Sequence, residues 1–163
     1  MTAARAEGAA RQGGAGRRRS IARLAAVQAL YQFDLNPGRG ADAVIGEFVH
    51  HRLGREIDGD VYGEADQELF ADIVRGVAAE RERLDETLSA ALSEEWPLSR
   101  LETLLRVILE AGAYELAHRP DIPSRVTLNE YVTIAHAFFA GKEPGLANGV
   151  LNHLARTLRA GEF

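Results

Sequence analysis

Apolar side chains in this chain recur every three or four residues, and this period constrains the fold more than any other sequence feature. From residue 20 onward, segments with this spacing are separated by short stretches that contain proline or glycine, and no long segment alternates between polar and apolar residues. A period near 3.6 puts apolar residues on one helix face, whereas a half-buried strand requires a period of two. The sequence therefore predicts an all-α, single-domain helical bundle of about seven helices.

Capping residues and helix breakers predict the helix boundaries. Ser20 is a suitable N-cap for the first helix, and Asn36-Pro37-Gly38 predicts its end. Residues 99–102 and 127–130 have the Ser/Thr-x-x-Glu form of a capping box. The remaining boundaries predict a second helix over residues 42–53, a long third helix from about residue 65 to Pro97, a solvated loop over residues 54–63 and a last helix after a turn at residues 141–145.

The composition excludes several classes of protein. The chain has no cysteine, which rules out disulfides, thiolate zinc sites and thiol nucleophiles. There is no phosphate-binding glycine loop, and His50, His51 and His153 lack partners at zinc-like spacing. We therefore expect no enzyme activity, no cofactor and no metal. No apolar run approaches the ~18 residues of a membrane-spanning helix, and no secretory signal is recognisable. The sequence therefore also predicts a cytoplasmic protein without a membrane contact.

The charge is distributed unevenly along the chain. The net charge is −5, yet residues 1–23 contain six arginines against Glu7 alone. Such asymmetry indicates a basic arm on an acidic body, and a basic arm is typical of nucleic-acid binding. Residues 1–16 are rich in alanine, glycine and arginine and are predicted to form a disordered basic tail. Residues 17–163 are predicted to form one helical domain, whose first residues could meet nucleic acid.

The candidate RNA-binding residues begin in the first helix, with Arg17, Arg18, Arg19 and Arg23. A guanidinium is planar and always charged, so it suits both phosphate binding and stacking on unpaired bases. Gln28 and Tyr31 follow one helical turn apart on one face. For Tyr31 two interpretations are equally open: stacking on a base, or packing in the core with its hydroxyl at the edge.

Two further polar pairs occur in the later helices. Asn148-Gly149 lies in the last predicted helix, where glycine costs about 1 kcal/mol relative to alanine. We expect close helix packing to account for Gly149, and RNA contact for Asn148. Asn129 and Glu130 favour a structural interpretation, in which Glu130 caps its own helix through Thr127. The acidic stretch at residues 56–72 indicates a solvated face or a surface for a partner.

Four local motifs occur in an order and spacing that resemble the NusB family, from about Arg17 to the C-terminus. The first is Arg-x-x-x-Arg-x-x-x-x-Gln-x-x-Tyr in the first helix. The others are Ala-Tyr-Glu-Leu at residues 113–116, Val-x-x-Asn-Glu at residues 126–130 and Asn-Gly-Val-Leu at residues 148–151. Each motif alone is weak, but four in order over about 130 residues are specific.

The resemblance implies a seven-helix, all-α fold without catalytic chemistry. It also implies transcription antitermination: binding to boxA RNA of ribosomal operons together with NusE, a small-subunit ribosomal protein, in a complex with NusA, NusG and RNA polymerase. The RNA surface of the family is its arginine-rich N-terminal segment with nearby parts of the last two helices. Some members form homodimers that cover this surface.

The sequence departs from the family at two places. Gly145 and Leu146 replace a basic residue and a phenylalanine that often precede Asn-Gly-Val-Leu, and Lys142 is expected to supply that positive charge. Glu110 stands where an arginine is common. The resemblance thus implies an RNA-binding set of eight residues: Arg17, Arg18, Arg19, Arg23, Gln28, Tyr31, Lys142 and Asn148.

Two other functions compete with RNA binding. One is a protein-only scaffold that docks NusE or another ribosomal or transcription partner through acidic faces, with no useful RNA affinity. The other, a helical hydrolase, is the least favoured because no catalytic arrangement is recognisable in the sequence.

Overall fold

The computed structural model describes the backbone of residues 3–36, 38–51, 56–57, 60–61 and 65–163, and the side chains of residues 14–36, 38–50 and 65–163. Six α-helices account for most of this part of the chain. They are α1 (Ala3–Leu35), α2 (Ala41–His51), α3 (Gln67–Ala91), α4 (Thr103–His118), α5 (Ser124–Phe138) and α6 (Glu143–Leu158). Two 3₁₀ turns, Leu98–Arg100 and Ala160–Glu162, precede α4 and follow α6.

The predicted all-α class is confirmed, although the described residues contain six α-helices rather than about seven. Helix α3 has a kink at Glu80, where φ and ψ are −111° and 15°. The loop predicted at residues 54–63 contains an antiparallel pair of two-residue strands, β1 (Glu56–Ile57) and β2 (Asp60–Val61). Strands this short leave no alternating pattern in a sequence. The rest of that loop lies outside the described residues.

The N-cap predicted at Ser20 is wrong, because α1 begins at Ala3 and Ser20 lies inside it. The hydroxyl of Ser20 lies 3.0 Å from the carbonyl of Gly16, one turn back in the same helix. The one hydroxyl proton of Ser20 can be donated to this carbonyl or to Oε1 of Glu130, which lies 2.6 Å away, so the side chain does not act as a cap. The side chains of residues 1–13 are outside the described residues. The disordered tail predicted at residues 1–16, and its boundary with the domain, therefore stay a prediction.

Both predicted capping boxes are wrong. Helix α4 begins only at Thr103, with Glu102 as an N-cap that makes no side-chain cap bond. Helix α5 begins directly after Pro123, whose fixed φ suits a helix start, so Thr127 is already in its second turn. The capping oxygen comes from elsewhere in the chain: Oε2 of Glu162 accepts a 3.0 Å hydrogen bond from the backbone N–H of Ser124.

Helix α6 differs from its prediction in three ways. It begins at Glu143 rather than after Gly145, with Pro144 in the first turn, where a proline is well tolerated. The packing explanation for Gly149 is wrong, because a Cβ at this residue would meet nothing within 4 Å. The helical spacing of apolar residues predicts that Leu158 of α6 and Phe138 of α5 are buried, but they are 43% and 41% exposed.

Helix α4 is the centre of the bundle. Ten successive residues, 107–116, are buried, and α4 packs against α1, α3, α5 and α6. Helices α1 and α3 run in parallel beside it: the N–H of Asp66 bonds to the carbonyl of Arg18 at one end, and Arg81 pairs with Asp34 at the other. A helix that is buried around its whole surface must satisfy every polar side chain within the protein.

Arg159 connects the end of α4 to the C-terminal turn. Its guanidinium donates to the carbonyls of Glu115 and Leu116, each at 2.9 Å, and to those of Arg119 and Ile122. The last carbonyls of a helix have no partner within the helix, so a buried arginine can satisfy several of them at once. This side chain is only 9% exposed. It therefore acts as a C-cap supplied from the end of the chain.

No helix in the ranges described is both long and apolar enough to cross a membrane.

Gly76 of α3 is required by the close approach of α4. A Cβ at this position would lie 2.1 Å from two ring carbons of Tyr114. We expect Gly76→Ala to lower the free energy of unfolding by about 1–3 kcal/mol, because the ring of Tyr114 must move away. Urea unfolding followed by circular dichroism measures this change.

Gly46 provides the matched control within α2, because its Cβ would meet nothing within 4 Å. Gly46→Ala should raise stability by up to about 1 kcal/mol through helix propensity alone. Equal effects of the two substitutions would contradict the packing role of Gly76.

Candidate nucleic-acid interface

Three arginines of α1, Arg17, Arg18 and Arg19, are exposed at successive positions. Arg18 and Arg19 line a groove of about 740 Å³ between α1, the start of α3 and α5. The groove is lined by Ala15, Gly16, Arg18, Arg19, Arg23, Ala65, Asp66, Gln67, Glu68, Val126 and Glu130. Its α1 wall therefore carries positive charge and its other two walls carry carboxylates.

The pair formed by Arg19 and Asp66 spans this groove loosely. Nε of Arg19 lies 3.9 Å from Oδ2 of Asp66, and the two side chains are 44% and 31% exposed. Exposed pairs of this kind contribute little, so Arg19 can turn to an incoming phosphate at small cost. Oδ1 of Asp66 instead accepts the N–H of Leu69 at 3.0 Å, as the N-cap of α3.

Arg23 does not lie on the surface, which corrects its predicted role as an RNA contact. Its side chain is 1% exposed and Glu115 is fully buried. Nε and Nη2 of Arg23 donate to the carboxylate of Glu115 at 2.9 and 3.0 Å, as a two-pronged pair. Burial alone would lower the pKa of Arg23, but Glu115 outweighs it and the pKa is raised. Arg23 thus fixes α1 against α4.

Helix α5 joins this buried pair through Glu130. Oε1 of Glu130 lies 2.6 Å from the hydroxyl of Ser20 and 3.6 Å from Nη1 of Arg23. The predicted pairing of Glu130 with Thr127 is therefore replaced by contacts with α1. Burial raises the pKa of Tyr131, which lies beside the pair and is fully buried.

One signal in the sequence could have found the buried pair. Arg23 lies within the apolar stripe of α1, between Ala22 and Leu24, and Glu115 lies within a helix that is apolar on all sides. A charge in such a position needs an opposite charge nearby, because burying it alone is costly. The sequence does not say which helix supplies the partner.

Gln28 and Tyr31 are half-buried further along α1. Oε1 of Gln28 is buried and has no hydrogen-bond partner within the described part of the chain. Half-burial of Tyr31 leaves both of its interpretations open. Neither residue lines the groove of the arginines.

Lys142, directly before α6, and Asn148 of α6 are exposed, but they are not in the arginine groove. Lys142 lines a separate cavity of about 200 Å³ with Trp96, Leu105 and Leu146. Leu105 is ten residues before Glu115, which is about 15 Å along α4. The eight predicted residues thus fall into an exposed arginine group, a buried arginine, a half-buried pair and two residues in or directly before α6.

A second charged cluster, missed from the sequence, joins α1, α3 and α4. Arg81 lies between Asp34 and the fully buried Glu110, with its Nε 3.1 Å from Oε2 of Glu110. Arg106 lies 2.5 Å from Asp85 and 3.7 Å from Glu110. Glu110 stands where an arginine is common in the family that the sequence resembles. The structure explains this difference, because the carboxyl group of Glu110 contacts two guanidinium groups inside the bundle.

The cluster holds three carboxylates against two guanidinium groups, so one proton would balance its charge. Burial and the neighbouring Asp85 together raise the pKa of Glu110 to about 8, against the opposing effects of Arg81 and Arg106. Oδ1 of Asp85 is buried without a hydrogen-bond donor among the described residues. A proton on Glu110 would provide that donor.

The described residues thus form a helical bundle with a cationic helix face and without a group of three or more side chains placed to bind a metal. The profile of the NusB family matches residues 20–156. The chain belongs to the NusB family.

Curated relatives and solved structures agree with this assignment. The chain is 51% identical over 146 residues to the transcription antitermination protein NusB of Nitrobacter hamburgensis, covering 90% of this chain and 91% of that protein. It is 49% identical to NusB of Rhodopseudomonas palustris strain BisB18, over 90% of this chain and 86% of that one.

Two solved structures are similar in fold. A T. maritima NusB structure has a TM-score of 0.73 at 25% identity, covering 89% of this chain and 96% of that one. A complex of the antitermination factors NusB and NusE with double-stranded RNA has a TM-score of 0.69 at 25% identity, covering 86% and 98%.

The buried role of Arg23 predicts a large loss of stability on its removal. Arg23→Met should lower the free energy of unfolding by about 3–5 kcal/mol, because Glu115 is left charged and buried. The double variant Arg23→Met/Glu115→Met should recover much of this loss in urea unfolding. Arg83→Met, on the exposed face of α3, is the control. Unchanged stability with reduced RNA affinity would instead restore Arg23 as a direct contact.

The protonated cluster predicts a pH dependence of stability. Between about pH 5 and 8 the folded protein holds a proton on Glu110 that the unfolded chain has released, so stability falls as the pH rises. In Glu110→Gln the free energy of unfolding should fall less across this pH window. The difference from the unsubstituted protein should exceed about 1 kcal/mol, roughly the free energy that corresponds to one pKa unit.

Glu86→Gln removes an exposed carboxylate from α3 and serves as the control for this titration. It should leave the slope of stability against pH as it is in the unsubstituted protein. If Glu110→Gln also left the slope unchanged, the protonated state of the cluster would be wrong.

Proposed function

We propose that this protein is a transcription antitermination factor that binds boxA RNA of ribosomal operons together with NusE, in the complex that NusA, NusG and RNA polymerase form. The observation that carries the proposal is the similarity along nearly the whole chain: relatives about 50% identical over 90% of it are transcription antitermination proteins. A structural neighbour of similar length is a complex of NusB and NusE with RNA.

The arginines of α1 support RNA binding in this chain. Arg17, Arg18 and Arg19 are exposed on one helix, next to an open groove. Phosphate contacts supply much of the affinity for nucleic acid, and arginine also stacks on unpaired bases. Arg23 supports the same surface indirectly, because its pair with Glu115 holds α1 in place. Tyr31, Gln28, Lys142 and Asn148 remain proposed secondary contacts outside the groove.

The proposed activity includes no catalytic step and no cofactor. A factor of this kind acts by binding a nascent transcript and its partners, so we place it in the cytoplasm, where bacterial RNA polymerase works. A homodimer that covers the arginine face would compete with RNA for this surface.

The test is fluorescence anisotropy with a labelled boxA-type RNA and a scrambled RNA, with and without NusE, at two salt concentrations. Arg17→Ala/Arg18→Ala/Arg19→Ala should weaken boxA binding by about tenfold or more at low salt. It should also lower the slope of log affinity against log salt by about 0.7 for each phosphate that the variant no longer neutralises. Arg83→Ala, an exposed arginine in a helix outside the groove, is the matched control and should change neither quantity.

The protein-only scaffold is the alternative outcome of this experiment. The protein would then bind NusE, while both RNAs would bind weakly and equally whether or not NusE is present. The triple variant would assemble with NusE as the unsubstituted protein does. That result would leave the family assignment intact and overturn RNA binding.

A further inference from the structure

The groove beside Arg18 and Arg19 continues across the outer face of α5. A second cavity of about 520 Å³, lined by Ser20, Val126, Asn129, Glu130 and Thr133, shares Val126 and Glu130 with the first. The two cavities therefore meet at these two residues. Together they form a track that crosses α1 and α5 and is open to solvent, as binding of an extended strand requires.

The charges along the track orient a single strand within it. The α1 wall carries Arg18 and Arg19, whereas the facing walls carry Asp66, Glu68 and Glu130. Phosphates are attracted to the arginines and repelled by the carboxylates. The sugar-phosphate backbone must then follow α1, which turns the bases toward the wall formed by α3 and α5.

Val126 and Glu130 are one helical turn apart on this wall. Val126 is 41% exposed and offers an apolar surface for the face of a base. The side chain of Glu130 is 23% exposed and held in place from behind, because Ser20 and Arg23 both approach its Oε1. Neither of these contacts uses Oε2, which is the oxygen left for a ligand.

We propose that Glu130 is a specificity-determining residue that accepts a hydrogen bond from the amino group of one unpaired adenine or cytosine in the bound RNA. A carboxylate only accepts hydrogen bonds, so it favours a base edge that donates and disfavours the keto edge of uracil. Its partial burial strengthens this choice relative to a fully solvated carboxylate. The inference rests on the RNA-binding function proposed above.

The test measures anisotropy of the protein in complex with NusE on boxA-type RNAs altered at single atoms. Each adenosine is replaced in turn by purine riboside, and each cytidine by its analogue without the exocyclic amine, so that one amino group is removed at a time. At one position the unsubstituted protein should lose about tenfold in affinity. Glu130→Gln should bind the altered and the unaltered RNA at that position equally well.

Glu68→Gln is the matched control, because it removes an equal charge from the same groove at an exposed position. Glu68→Gln should raise the affinity for every RNA by the same factor. It should keep the tenfold difference in affinity between the unaltered RNA and the RNA that lacks the amino group. Thermal unfolding of Glu130→Gln checks that α1 and α5 stay packed. We expect them to, since the glutamine carbonyl can still accept the hydrogen bond from the hydroxyl of Ser20.

Three outcomes are possible beyond the expected one. If Glu130→Gln only raises affinity uniformly, as Glu68→Gln does, Glu130 is a repelling charge and the inference is overturned. A second outcome is that removing a ribose 2′-hydroxyl, rather than a base amino group, lowers affinity in the unsubstituted protein but not in Glu130→Gln. Glu130 would then contact a ribose, and recognition of a base would be overturned. If the unsubstituted protein does not prefer boxA to scrambled RNA, the proposed function fails, and the inference fails with it.

Discussion

The pair between Arg23 and Glu115 is the interaction on which the arrangement of this bundle depends. Helix α4 is buried around its surface, and Glu115 is fully buried within it. A lone carboxylate there would be costly, so the helix is tolerated in the core only because α1 delivers a guanidinium in two-pronged geometry. The second buried carboxyl group, Glu110, accepts hydrogen bonds from Arg81 of α3 within the cluster that shares one proton. One buried ion pair and one hydrogen-bonded charged cluster thus fix α1 and α3 against one central helix.

This constraint divides the arginines of α1 between two tasks. Arg23 faces the core and holds the helix, while Arg17, Arg18 and Arg19 face solvent at the edge of a groove. Successive helical residues point about 100° apart, so one arginine-rich segment supplies both a structural face and the proposed binding face. The anchoring of α1 sets where the exposed arginines stand relative to the carboxylates of α3 and α5. The mixed charge of the proposed RNA surface thus depends on a single buried pair.

Much of the fold could be predicted because helical periodicity is a local property. The stripes that contain Val44, Phe48, Ile73 and Leu88 are buried as their spacing predicts. Helix starts were predicted less well, because two capping boxes and the cap at Ser20 are not used as caps. The 3₁₀ turn before α4 begins directly after Pro97, and α5 begins directly after Pro123. The N-terminus of α5 is capped by a residue far along the chain. Long-range caps leave no local signal.

The sequence by itself determined the all-α class, the basic N-terminal segment and the family, because each depends on residue types and on their spacing. Only the tertiary structure decided which arginines remain at the surface, and that Glu130 faces α1 rather than capping its own helix. It also placed Lys142 in a cavity apart from the arginine groove. These properties depend on how helices distant in sequence pack, since burial and electrostatic pairing are set by neighbours that the local sequence does not specify.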